Sequence, residues 1–188
     1  MKRIAILASG KGSNAQALIS HFSGHSEMEV AFVGSNRRTS GVLEIAKESG
    51  IESQHFSKDD LQSGALLEKL ILEKIDYVLL SGFLLKIPSG LINHFEDRIL
   101  NIHPSLLPLY GGKGMYGLNV HRAVLEAGDS ESGMTIHKVT ENYDEGAVVF
   151  QCSVDITDAK SPEEIATKVL ALEHEYYPRI AEAMIKES

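Results

Sequence analysis

Ile4-Ala5-Ile6-Leu7-Ala8-Ser9-Gly10-Lys11-Gly12-Ser13-Asn14-Ala15 is the stretch that decides the fold. Its apolar run is short and uninterrupted, the mark of a strand buried on both faces; the strand is expected over Arg3–Ala8. Ala15–Phe22 then reads as a helix, so residues 9–14 turn from a strand into a helix. A helix start presents free N–H groups, and its dipole favours negative charge. Glycines let the backbone come close to a ligand, and Ser13 and Asn14 can add side-chain hydrogen bonds. Gly12, Ser13 and Asn14 are therefore candidate phosphate binders. The plain alternative is a capped turn with no ligand. The Gly-Lys-Ser/Thr of a Walker loop is missing. Gly10, Gly12 and Ala15 approach the dinucleotide pattern, but the acidic residue expected ~20 positions on is absent. Asn36-Arg37-Arg38 stands there instead, which keeps an NADP-dependent reductase as a rival.

Outward from this loop the same alternation repeats. Strands are expected at Glu29–Val33, Ser53–Phe56, Tyr77–Ser81 and Arg98–Ile102. Helices are expected at Gly41–Ser49, stopped by Gly50, at Leu61–Ile75, at Pro88–Phe95 and at Val120–Ala127. The pattern then changes. Ser132–Val139 and Ala147–Ile156, joined by Thr140–Gly146, suggest an antiparallel pair. Ser161-Pro162-Glu163-Glu164 carries the signature of a capping box before a long helix reaching about Ile185. The expected fold is α/β: a doubly wound, mostly parallel twisted sheet with helices on both faces and an antiparallel C-terminal strand pair. A single domain over residues 1–188 is expected. Ligands of such sheets bind beyond the carboxyl ends of the strands, which directs attention to the residues after Ala8, Ser81 and Ile102.

Composition narrows the classes. The 188 residues carry 43% apolar and 23% charged residues, enough apolar content to exclude disorder. One cysteine, Cys152, excludes a disulfide scaffold. No apolar run approaches the ~18 residues of a membrane helix, and the amino-terminal run is shorter than a signal-peptide core; a cytoplasmic location without membrane contact is expected. The formal net charge of −8 argues against nucleic-acid partners. An anionic small molecule needs only a local patch, for which Lys11, Arg37, Arg38, Lys58, Lys86 and Lys113 are the candidates. Neither His-Glu-x-x-His nor a cysteine cluster is present, so no metal is expected. Without Gly-x-Ser-x-Gly a serine hydrolase has little support. Cys152 reads as buried filler, and His21, His25, His55 and His94 as surface or helix-end residues.

Asn101 and His103 lie two apart at the end of a strand, so their side chains share a face. Asn101 can donate from its amide; His103 can act as acid or base, or face an oxyanion. Such a pair suits a tetrahedral intermediate in acyl or formyl transfer, although a capping Asn and a core His would look the same. Asp144 precedes Gly146 by two residues, ordinary turn chemistry; its functional reading is a carboxylate that orients His103 and raises its pKa.

Together, Ser9-Gly10-Lys11-Gly12-Ser13-Asn14-Ala15-Gln16-Ala17, Leu80-Ser81-Gly82-Phe83, Leu100-Asn101-Ile102-His103-Pro104-Ser105-Leu106-Leu107-Pro108 and Asp144-Glu145-Gly146 resemble the phosphoribosylglycinamide formyltransferases of purine biosynthesis. The resemblance covers essentially the whole chain. It implies transfer of formyl from the cosubstrate 10-formyltetrahydrofolate to the amine of glycinamide ribonucleotide, by direct attack. His103 and Asn101 would stabilise the oxyanion, and Asp144 would hold His103 and help move the proton. Gly12, Ser13 and Asn14 would hold the phosphate, and Glu173 would contact the ribose. The folate would lie against Leu84, Leu85, Lys86 and Ile87, against Asn101, and against Thr140, Glu141, Asn142 and Tyr143, with Lys58 at its tail. Small-molecule partners and a monomer or homodimer are implied. The chain departs from the family at Leu84-Leu85-Lys86 and in the Gly-rich Leu109–Gly117, where a mobile flap is expected. Methionyl-tRNA formyltransferase and formyltetrahydrofolate hydrolase share the Asn-x-His core; each usually carries an extra domain for which this chain has no counterpart. A non-catalytic nucleotide-binding module would leave Asn101, His103 and Asp144 far apart.

Overall fold

The computed structural model describes residues 1–187. β1 (Lys2–Ala8) shows why the sheet is buried. Ile4, Ile6 and Ala8 enter one core cluster and Ala5 and Leu7 the other, all with no exposed area. Alternation places successive residues on opposite faces, so both faces must be covered. α1 (Ser13–Phe22) and the C-terminal α7 (Pro162–Lys186) contribute to the first cluster. Leu61, Leu66, Leu70 and Leu91, from short helices, contribute to the second.

In chain order the remaining elements are β2 (Met28–Ser35), α2 (Gly41–Glu48), β3 (Glu52–His55), α3 (Lys58–Ser63), α4 (Ala65–Leu72), β4 (Tyr77–Leu80), α5 (Ser89–His94), β5 (Ile99–His103), α6 (Leu118–Ala127), β6 (Glu131–Lys138) and β7 (Val148–Asp155). They form one seven-stranded sheet in the order β3-β2-β1-β4-β5-β6-β7. The first five strands in that order are parallel; β6 runs antiparallel to both its neighbours, β5 and β7. The strand order reverses between β1 and β4, where the crevice of a doubly wound sheet opens. That point is tied shut at its base. Ser9 N–H donates to Gly82 O at 3.2 Å, and Ser9 Oγ accepts from Leu84 N–H at 3.0 Å.

Two local expectations need correction. Leu61–Ile75 is not one helix: Gly64, at φ 91°, ends α3 and starts α4. The apolar spacing persists across the break because both short helices bury the same side, so spacing alone could not show it. The cap of α7 is half a capping box. Ser161 Oγ accepts from Glu164 N–H, but the Glu164 carboxylate accepts from Lys160 N–H. The full reciprocal box forms instead between Ser57 and Asp60 at the start of α3.

Candidate active site

A cavity of about 890 Å³ opens at the switch point, near the upper end for small-molecule sites. Its wall at one end is the loop after β1. Gly12 adopts φ 90°, and a Cβ there would lie 2.9 Å from Val42 Cβ, so only glycine lets this loop seat against α2. Segment 36–41 is fastened to it: Ser9 Oγ donates to Asn36 Oδ1 at 2.6 Å, and Ser40 Oγ to Gly10 O at 2.6 Å. Asn14 Nδ2 reaches Glu173 Oε2 on α7 at 2.7 Å. Asn14 Oδ1 is buried with no partner, an acceptor awaiting a donor. Burial pushes the Glu173 carboxyl up to about 7, against the pull of the Asn14 amide.

At the centre stand His103 and Asn101, at the end of β5, with Asp144 from the β6–β7 connection. Gly146 permits that connection: a Cβ there would fall 1.7 Å from Lys138 O, so any other residue would push the turn, and Asp144 with it, outward. Asp144 is itself left-handed, at φ 58°, a conformation Asp tolerates better than most residues. Its Oδ2 accepts from Gly112 N–H at 2.9 Å and lies 3.6 Å from His103 Nδ1. Its Oδ1 lies 3.5 Å from both Asn101 Nδ2 and His137 Nε2. Burial works against the charge on Asp144, but His137 and His103, when protonated, and the Gly112 amide outweigh it and hold the carboxyl below its usual range.

His103 Nε2 sits 2.8 Å from Tyr110 O. A carbonyl only accepts, so Nε2 carries the hydrogen and donates it. Burial pushes the His103 pKa below its ordinary value, and the pulls of Asp144 and the Tyr110 carbonyl upward do not make up for it. Asp144 does pull the His103 pKa up, as expected, but burial outweighs it. A neutral His103 presents an N–H donor on one side and a basic nitrogen facing a carboxylate on the other.

His137 was not singled out from the sequence. Its Nδ1 donates to Lys138 O at 2.9 Å, which leaves Nε2 to accept from Asn101 Nδ2 at 3.0 Å. One amide hydrogen of Asn101 is therefore committed. The other points toward Asp144 at the outer limit of hydrogen bonding, and is the one available to a substrate oxygen. His137 is the register partner of Asn101 in the β5–β6 pair; a histidine one residue after Ile136 in an expected strand was the only signal. His121, from α6, is also in the cavity wall. Burial, then the nearby His103, push it down to about 4, so it is neutral.

At the far end the wall is apolar, with Leu80, Leu84, Ile87 and Val139, and with Thr140, Asn142 and Tyr143 beside them. Leu85, Lys86 and Glu141 are not part of the wall, and Lys58 is an exposed residue at the start of α3, outside the cavity. Of the basic candidates, Lys11, Arg37 and Lys113 do line the cavity. The Gly-rich segment is anchored at Tyr110 and Gly112 through the bonds to His103 and Asp144 just given. His21 and His25 both contact Glu182 on α7, at 2.6 and 3.4 Å, and so brace α1 against that helix. Among the described residues, no helix is long and apolar enough to cross a membrane.

This is a doubly wound α/β protein with an Asn-His-Asp group beside the glycine loop at its switch point, and the chain belongs to the formyl transferase family, whose model matches residues 2–181. Several of its relatives are named phosphoribosylglycinamide formyltransferase. It is 40% identical over 193 residues to a chloroplastic phosphoribosylglycinamide formyltransferase of Arabidopsis thaliana, covering 99% of this chain and 66% of that protein. It is 34% identical to the phosphoribosylglycinamide formyltransferase of Escherichia coli, covering 94% of this chain and 84% of that one. The crystal structure of phosphoribosylglycinamide formyltransferase from Anaplasma phagocytophilum superposes with a TM-score of 0.90 at 31% identity, covering 99% of this chain and 88% of the other. The chain thus spans just under two thirds of the plant relative's length.

Proposed function

We propose that this chain transfers the formyl group of 10-formyltetrahydrofolate to the primary amine of N1-(5-phospho-D-ribosyl)glycinamide, giving the formylated ribonucleotide and tetrahydrofolate. The observation that carries this reading is the position of the Asn101–His103–Asp144 group. All three line one cavity together with the glycine loop of residues 10–14 and the apolar Leu80, Leu84, Ile87 and Val139.

The phosphate takes the N–H groups at the start of α1 and the side chains of Ser13 and Asn14. Glu173 accepts from the ribose hydroxyls. The apolar wall and the 140–143 turn take the folate ring. A cavity of this size and lining fits a flat heteroaromatic donor beside a phosphorylated acceptor. The amine then attacks the formyl carbon, and negative charge develops on the formyl oxygen. His103 Nε2–H turns from Tyr110 O to that oxygen, and the free hydrogen of Asn101 Nδ2 adds a second donor. The attacking nitrogen must lose a proton and the leaving folate nitrogen must gain one. His103 Nδ1 can hold that proton in between, because Asp144 converts an unfavourable contact with a lone pair into a favourable one with an imidazolium. Collapse of the intermediate breaks the bond to the folate nitrogen.

The test is spectrophotometric. Purified protein is mixed with the ribonucleotide and a 10-formyl folate, and deformylated folate is followed by absorbance. Production that requires the ribonucleotide is the expected result, with a loss of at least ~10²-fold in kcat for His103→Ala. Equal production without the ribonucleotide makes the protein a folate hydrolase. No production by folded protein sinks the reading.

A further inference from the structure

Lys11, Arg37 and Lys113 share the cavity wall, and none makes an ion pair within the described residues. Elsewhere on this acidic chain cations do find carboxylates: Arg3 pairs with Glu29 and Glu73, Lys69 with Glu52 and Glu73, and Lys138 with Asp97. Unpaired cations gathered in one cavity of a protein with net charge −8 mark an anion site. Two of them are built in. Lys11 belongs to the loop after β1, and Arg37 belongs to the segment that Ser9 and Ser40 fasten to that loop. The third comes from elsewhere. Lys113 is at the tip of a turn in which Gly112 and Gly114 adopt φ 93° and 91° and Met115 N–H donates to Gly112 O at 3.1 Å.

That turn is also wired to the reacting group. The residue before Lys113 donates its N–H to Asp144 Oδ2, and Tyr110, three residues before, offers its carbonyl to His103 Nε2. We propose that Lys113 completes the anion site opposite Lys11 and Arg37, so that the acceptor's phosphate dianion holds this turn and, through it, positions His103 and Asp144 for transfer. The proposal rests on the formyl-transfer reading above. Lys113 is a positioning residue in it: the phosphate, remote from the reacting carbon, contributes to rate as well as to affinity. A neutral acceptor of the same shape would bind the cavity and leave the turn unheld.

Lys113→Gln and Lys113→Arg are compared with the unaltered enzyme on the phosphorylated acceptor and on its dephosphorylated riboside. Lys113→Gln is expected to lose about 10- to 100-fold in kcat/KM on the phosphorylated acceptor, part of it in kcat, and at least ~10-fold less on the riboside. Lys113→Arg is expected to restore most of the loss. Added phosphite dianion should accelerate the riboside reaction of the unaltered enzyme more than that of Lys113→Gln. Equal losses on the two acceptors would mean that Lys113 only shapes the loop, and no loss on either would mean that it takes no part; each overturns the proposal. If the unaltered enzyme formylates neither acceptor, the functional reading fails. Calorimetry with ribose 5-phosphate then decides this proposal by itself: binding at least ~10-fold weaker in Lys113→Gln supports it, and equal affinity overturns it.

Discussion

Glu173 is the most exposed to test of the groups in the cavity, because its environment has a measurable energetic cost. It is 6% exposed, and burial pushes its carboxyl from an ordinary 4.5 to about 7. The folded protein therefore holds this proton more tightly than the unfolded chain does. Stability falls as pH rises from about 4.5 to about 7, since over that window the folded state carries the extra proton. The rise of some two and a half pH units corresponds to about 3 kcal/mol of stability lost by pH 8, at 1.36 kcal/mol per unit. Gln at this position keeps an acceptor for Asn14 Nδ2 and cannot ionise. Urea unfolding of the unaltered protein and of Glu173→Gln at pH 5, 6, 7 and 8 measures the effect, and the difference between the two cancels every other titrating group. That difference should move in favour of the variant by about 2.5 kcal/mol between pH 5 and 8, most of it below pH 7. A difference that stays flat across the range would show that Glu173 is ionised at little cost and that its burial does not govern its charge.

Other outcomes follow from the same geometry. The His103 imidazole should titrate below pH 6.5 by NMR and lower still in Asp144→Asn, because the carboxylate pulls its pKa up; a higher midpoint in the variant would reverse the reading. Gly12→Ala must place a Cβ 2.9 Å from Val42 at φ 90°. It should cost about 1–2 kcal/mol of stability and raise KM for the phosphorylated acceptor well above any change in kcat; unchanged melting and kinetics would show that the loop tolerates the shift. Tyr177, fully buried, donates to Leu80 O at 3.0 Å and Leu100 O at 3.2 Å. Tyr177→Phe leaves those acceptors without that donor and should cost about 1–3 kcal/mol, a fall in Tm of roughly 2–4 °C per kcal/mol for a chain of this size; an unchanged Tm would mean that the hydroxyl adds nothing.

The sheet was legible because its strands are short apolar runs and its loops carry Gly, Ser and Asn, so local chemistry and global fold agree. The break at Gly64 was not, since apolar spacing continues through a left-handed residue that reverses nothing about which side is buried. Asn101 and His103 were visible as a pair on one strand face. His137 was not, because its place opposite Asn101 depends on an antiparallel register that no local pattern prints. Asp144 read as turn chemistry, and it is turn chemistry: the same left-handed backbone that makes the turn aims the carboxylate. The pull of Asp144 on His103 was legible, but the burial that outweighs it depends on residues distant in the chain. Lys58 stands at a helix start on the outer surface, outside the cavity wall.

The bond between Asn14 and Glu173 joins residues 159 apart in the chain, and this has a consequence for the protein as it is being made. Synthesis runs at ~5–20 residues per second, so the anion loop exists for roughly 8–30 s before the residue that completes it has been added. Through that interval α1 lacks the helix that covers it, and Leu18, Ile19 and Phe22, buried in the finished molecule, are left for a chaperone or a neighbouring chain to find. An amino-terminal fragment without α7 is not expected to act as a partial enzyme. Truncated chains are instead expected to be sticky and inert, and a stop codon before α7 should cost the cell both the activity and the means of keeping the remainder in solution.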